Sequence, residues 1–73
     1  MRRKFKLIDA KGQHLAVVLY FHEEQINSNV GIIFKSDLST NSTWLYKDEP
    51  IKEVIADLVS KLEIEYESFE EVN

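Results

Sequence analysis

Apolar and polar residues alternate along the first two thirds of the chain and then recur at helical spacing. Period two marks a strand with one buried face, and period 3.6 an amphipathic helix. Residues 4–8 and 14–21 read as two strands, 30–35 as a third and 43–46 as a short fourth. Ile51, Val54, Ile55, Leu58, Val59 and Leu62 then follow at steps of three, one, three, one and three. This is a helical apolar stripe. Beyond it, Ile64, Tyr66 and Phe69 fit either a fifth strand or an extension of the helix, and the pattern does not separate the two. The predicted fold is α+β: a four-stranded antiparallel meander with one C-terminal helix across one face.

Between the first two strands lies Asp9-Ala10-Lys11-Gly12-Gln13. A three-residue loop with Gly12 in the left-handed region gives a common hairpin turn, because glycine enters that region without steric cost. Continued without interruption, this register sets Leu7 opposite Leu15, Phe5 opposite Val17 and Arg3 opposite Leu19. Pairing Phe21 with Val30, Leu19 with Ile32 and Val17 with Phe34 extends the same face. Setting Phe34 against Trp44 brings Ile32 opposite Tyr46. The helix is then expected to cover Phe5, Leu7, Leu15, Val17, Leu19, Phe21, Val30, Ile32, Phe34, Trp44 and Tyr46. At its start, Asp48 is the expected N-cap, Pro50 sits in the first turn, and Glu49 and Glu53 lie near the positive end of the helix dipole. The connections 22–29 and 36–42 are polar and turn-rich, with Ile26 able to tuck inward.

This register leaves Lys4, Lys6, Ile8, His14, Ala16, Val18, Tyr20, Gly31, Ile33, Lys35, Thr43 and Leu45 on the reverse face. An antiparallel sheet with a helix on one side ordinarily shows water a polar second face. Ile8, Ala16, Val18, Tyr20, Ile33 and Leu45 are too apolar for that, and contiguous exposed apolar patches mark interfaces. The C-terminal segment, a second copy of the chain, or a different protein could cover them.

Seventy-three residues make one domain, 1–73, near the lower size limit for a single core. The chain has no cysteine, so packing alone must hold it; 44 % apolar residues can do so. A reducing, cytoplasmic setting fits that composition. The strongly apolar run from Leu15 to Phe21 is far too short to span a bilayer, and Asp9, Lys11 and Gln13 interrupt any signal-like apolar region after Met1 to Lys6. Asn41-Ser42-Thr43 matches a glycosylation pattern that has no meaning without secretion.

Charge is polarised. Residues 48–73 hold nine acids against two lysines, and residues 1–47 hold seven basic residues against four acids, for a net −4 overall. The acidic tail from about residue 67 is the one candidate for disorder. Glu63, Glu65 and Glu67, interleaved with Tyr66 and followed by Phe69, form a surface able to dock on a basic groove of another protein. At the other end, Arg2, Arg3, Lys4 and Lys6, joined by Lys35 and Tyr20, could contact phosphates and stack a base. In element order alone, four strands and a helix resemble certain single-strand nucleic-acid binders. The net charge opposes that reading, and lysines on a strand also guard its edge.

Chemistry is sparse. His14 and His22 sit eight residues apart at opposite ends of one strand, so they do not converge on a metal. His22-Glu23-Glu24 is a flexible loop cluster, Ser36, Ser39, Ser42 and Ser60 have no histidine near them, and two isolated glycines make no phosphate loop. No cofactor, small-molecule substrate or membrane partner is expected. The sequence points to a small non-catalytic binding protein with a protein partner, including itself, in an accessory, regulatory or inhibitory role of the kind phages and mobile elements encode. Nucleic-acid binding is the alternative.

Overall fold

A computed structural model describes residues 2–73. Five strands and one helix follow in the order β1 Arg2–Ile8, β2 His14–Glu23, β3 Ser28–Lys35, β4 Asn41–Tyr46, α1 Ile51–Lys61 and β5 Ser68–Val72. The strands form one antiparallel sheet in the order β4-β3-β2-β1-β5, so the meander is joined at the β1 edge by the C-terminal strand. The segment after about residue 67, a candidate for disorder on composition, is therefore a strand paired with β1 from Lys4–Val72 to Ile8–Ser68.

The first hairpin turns as its residues dictate. The Asp9 N–H donates to the Gln13 carbonyl at 2.9 Å, Gly12 has φ 81°, and the Asp9 carboxylate accepts from the N–H groups of Lys11 and Gln13. Register then departs from the uninterrupted reading. Ile8 lies opposite His14 but Leu7 lies opposite Ala16, so Leu15 is an extra residue in a β-bulge. A strand's side-chain period is two, so one extra residue sends everything beyond it to the other face. Phe5 accordingly faces Val18, not Val17. The β2–β3 pairs are those expected: Val17–Phe34, Leu19–Ile32 and Phe21–Val30. On β4 the expected register fails again, with Gly31 opposite Trp44 and Ile32 opposite Thr43.

Beneath the helix therefore lie Phe5 and Leu7 of β1, Ala16, Val18 and Tyr20 of β2, Gly31 and Ile33 of β3, and Tyr46 of β4. The expectation was right for β1, for Leu15 and for Tyr46, and inverted for β2 beyond Leu15 and for β3; Trp44 shares the helix side of β4 but is 52 % exposed rather than covered. Val18 and Ile33, expected on the reverse face, are completely buried. The physical reason is room. Ala16, Val18 and Gly31 are small, and a helix carrying Val54, Ile55, Leu58 and Val59 on its inner side can come close only over small residues.

The helix begins at Ile51 with Pro50 as its N-cap and no side-chain cap; Asp48 instead accepts a long bond from the Asn29 amide at 3.4 Å. It ends without a glycine. Glu63 takes the left-handed position at φ 54°, and the Ile64 N–H returns to the Val59 carbonyl at 3.0 Å. That six-to-one bond is a Schellman closure, and half-buried Ile64 packs on the core behind it. The Glu67 N–H then donates to the Ile8 carbonyl at 2.8 Å and starts β5. Tyr66 and Phe69 turn toward the core, Phe69 edge-on to Phe5 at 5.9 Å. Ile26, free to tuck inward on sequence grounds, stays 52 % exposed in the β2–β3 turn.

Candidate protein-contact surface

The face of the sheet away from the helix is apolar at its centre. Val17, Leu19 and Phe21 project from β2 and Val30, Ile32 and Phe34 from β3, directly beside one another. Leu45 of β4 continues the patch next to Val30 and is 55 % exposed. Val72 of β5 lies on the same side, next to Lys4. Alternation forces this arrangement: once the bulge has set Ala16 and Val18 under the helix, the larger odd-numbered residues of β2 must point the other way. The backbone pairing of β2 with β3 then aligns the even-numbered residues of β3 with them.

A basic row flanks the patch. Arg2, Lys4 and Lys6 alternate along β1 on the open side, beside Phe21, Leu19 and Val17 respectively. The Arg2 guanidinium lies over the Phe21 ring, 4.9 Å from its centre. Lys6 has Glu70 of β5 as its cross-strand neighbour. On the opposite flank, β4 offers Asn41, Thr43 and Leu45, none of them charged.

The residues expected to form a contact surface are thus redistributed. Ile8 and Leu45 remain on the open face. Val18, Tyr20 and Ile33 lie on the helix side; the Tyr20 hydroxyl donates to the Lys47 carbonyl at 3.2 Å, and its ring meets Tyr46 edge-on. Tyr66 and Phe69 are partly buried against the core, whereas Glu63, Glu65 and Glu67 are exposed in and beyond the turn that follows α1. The basic set divides too. Arg2, Lys4 and Lys6 share the open face, but Arg3, Tyr20 and Lys35 belong to the helix side by strand parity. Arg3 is also engaged: its Nε and Nη2 donate to the two Glu71 carboxylate oxygens at 2.9 and 2.8 Å. This bond holds the Glu71 carboxyl below the usual carboxylate range and raises the Arg3 guanidinium further.

Polar chemistry elsewhere is local. The Tyr46 hydroxyl donates to Asp57 Oδ2 at 2.6 Å, and Lys61 reaches the other oxygen at 3.5 Å. Burial, that bond and the nearby carboxylates push the Tyr46 phenol well above its usual value. Lys61 also lies over the Trp44 ring at 4.1 Å. A shallow concavity of about 300 Å³ between β4 and the helix is lined by Trp44, Tyr46, Glu49, Glu53 and Asp57. Exposed His14 and His22 stand at opposite ends of β2, and His22 Nδ1 is 2.9 Å from Asn29 Oδ1. Among the described residues no three His, Asp or Glu side chains converge as metal ligands, and no helix is long and apolar enough to cross a membrane.

Sequence pattern alone placed Val17, Leu19, Phe21, Val30, Ile32 and Phe34 beneath the helix; Val30 is buried, but on the open side of the sheet, where the other five are only half-buried. Gly31 was the available signal. A glycine inside a strand marks close approach by another element, here the helix, and identifies its own side as the covered one. No protein-family model, curated protein or solved structure matches this chain.

Proposed function

We propose that this is a small non-catalytic cytoplasmic protein that acts by contact with a protein through the open face of its sheet, in an accessory, regulatory or inhibitory role. The observation that carries the reading is the patch of half-buried Val17, Leu19, Phe21, Ile32 and Phe34 and exposed Leu45, set around a nearly buried Val30, on the side of the sheet away from the helix; among the described residues no helix or strand is packed on it. Apolar surface of this kind is stabilised by removal from water at roughly 25 cal/mol per Å², so a partner gains from seating there. Exposed Glu63, Glu65 and Glu67 suit steering of the encounter more than the contact itself. The test is capture from the source cell with wild-type and Ile32→Glu bait. A protein retained by the first and lost from the second is expected; equal retention by both overturns the reading.

One observation favours a nucleic-acid surface as the second reading: Arg2, Lys4 and Lys6 form a single row beside Phe21 on the open face. It is weakened because Arg3, Tyr20 and Lys35 face the other side and the net charge is −4. Gel-shift titration with single- and double-stranded DNA near physiological salt should show no retention. Micromolar binding lost in Lys4→Glu/Lys6→Glu would install this reading instead.

A further inference from the structure

We propose that the protein seated on the open face is a second copy of this chain, packed sheet to sheet about a dyad that runs along the strands between β2 and β3. This rests on the protein-contact reading and names its partner.

Shape supports it. Across β2 and β3 the neighbours on the open face are Val17–Phe34, Leu19–Ile32 and Phe21–Val30. A dyad along the strands lays β2 of one copy over β3 of the other at the same height. Val17 then meets the partner's Phe34, Leu19 the partner's Ile32, and Phe21 the partner's Val30. Large faces small in two of the three contacts and matched branched chains meet in the third, which is how the inner faces of β-sandwiches interdigitate.

Charge selects the axis. A dyad across the strands would also match large with small, but it would lay β1 on β1. Lys4 would then meet the partner's Lys4, and Arg2 the partner's Lys6. The dyad along the strands lays β1 over β4, so Lys4 lies over the partner's Thr43, Arg2 over the partner's Leu45 and Lys6 over the partner's Asn41. No like charges face each other, and the basic row remains at the rim.

Area is adequate. Four strands at about 4.8 Å spacing and seven residues at about 3.3 Å each give a footprint of about 19 by 23 Å. That is on the order of 450 Å² in projection and larger as accessible surface, close to the lower end, about 600 Å² per partner, of stable interfaces.

Sedimentation equilibrium over a micromolar concentration series tests the proposal. The wild type should approach twice the 8.6 kDa chain mass as concentration rises. Ile32→Glu should remain at the chain mass with an unchanged far-ultraviolet spectrum. Thr43→Glu, placed against the partner's Lys4, should tighten the dimer about 2- to 10-fold, and Thr43→Lys should loosen it by a similar factor. A wild type that stays monomeric at high micromolar concentration overturns the second copy, as does a dimer that survives Ile32→Glu. Loosening by both Thr43 variants overturns the axis, because it would bring β4 against β4. The capture comparison is independent of these masses: a monomer whose partner is lost on Ile32→Glu ends this inference and leaves the contact reading standing.

Discussion

The ring of Tyr46 fills the space that a side chain on Gly31 would need. A Cβ at Gly31 would lie 2.8 Å from Tyr46 Cε2 and 3.1 Å from Leu58 Cδ1. Tyr46 cannot simply swing away, because its hydroxyl is bound to Asp57 at 2.6 Å. The missing methyl at residue 31 therefore sets how closely the helix approaches the sheet.

Gly31→Ala should destabilise the fold by about 1–3 kcal/mol, the usual cost of overpacking, despite the entropy gained by removing a glycine from the unfolded chain. Denaturant melts measure it. A neutral or stabilising result would mean that the helix can shift outward freely over β3.

Leu58 is completely buried at the same contact. Leu58→Ala removes most of the side chain that spans helix and sheet and should cost about 2–5 kcal/mol. In a domain this small such a loss leaves much of the population unfolded at ambient temperature. A shift below about 1 kcal/mol in the same melts would remove Leu58 from the centre of the core.

Tyr46 gives the protein an alkaline limit. Its phenol ionises far less readily in the folded chain than in the unfolded one. Above about pH 10, where an unfolded tyrosine releases its proton, the folded state still binds one that the unfolded state has lost. Stability should therefore fall as pH rises from there toward the folded value. In Tyr46→Phe, which gives up the Asp57 bond at a cost of about 1 kcal/mol near neutrality, this component should vanish. Thermal melts from neutral to alkaline pH provide the comparison, and parallel profiles would show that neither burial nor Asp57 keeps the phenol protonated.

Arg3 and Glu71 contribute to the corresponding acid behaviour, as does Asp37, whose carboxyl is held low by its bonds from Ser39. The Glu71 carboxyl is depressed by its two bonds from Arg3, so the pair's contribution is complete above the ordinary glutamate range and is lost as pH falls through the folded value. Both side chains are about two-fifths exposed, which keeps the effect small and salt-sensitive. The difference in melting temperature between wild type and Glu71→Gln should accordingly shrink with acid and with added salt. A difference constant in both would assign it to packing of β5.

Element order, the Gly12 turn, the helix stripe and the β2–β3 register were all legible, because each rests on local chemistry or on a long periodic run. The choice of face on β2 and β3 was not. Both strands are apolar on both sides: Val17, Leu19 and Phe21 against Ala16 and Val18, and Val30, Ile32 and Phe34 against Ile33. Alternation of apolar with polar therefore carried no information there, and ranking by size favoured the wrong side. Size reports bulk, whereas the helix selects for smallness at its point of closest approach. The C-terminal strand was undecided for a different reason. Its apolar residues Phe69 and Val72 are too few to show a period, and its partner β1 is distant in sequence.

The bulge at Leu15 also makes the first hairpin unusually tolerant of a change in length. Losing one residue from a strand ordinarily turns the remainder inside out. Here the turn ends with Ile8 facing His14, and the ladder resumes with Leu7 facing Ala16. Excising Leu15 would join those two pairs into a regular ladder and leave Val18 inward and Val17 outward. The excision would forfeit the packing of Leu15 on the core and the bond its carbonyl accepts from the Ser36 N–H. Removing Val17 instead, two positions along, would exchange the two sides of β2 from that point to its end. In this chain the polarity of the sheet hangs on where a single spare residue is stored.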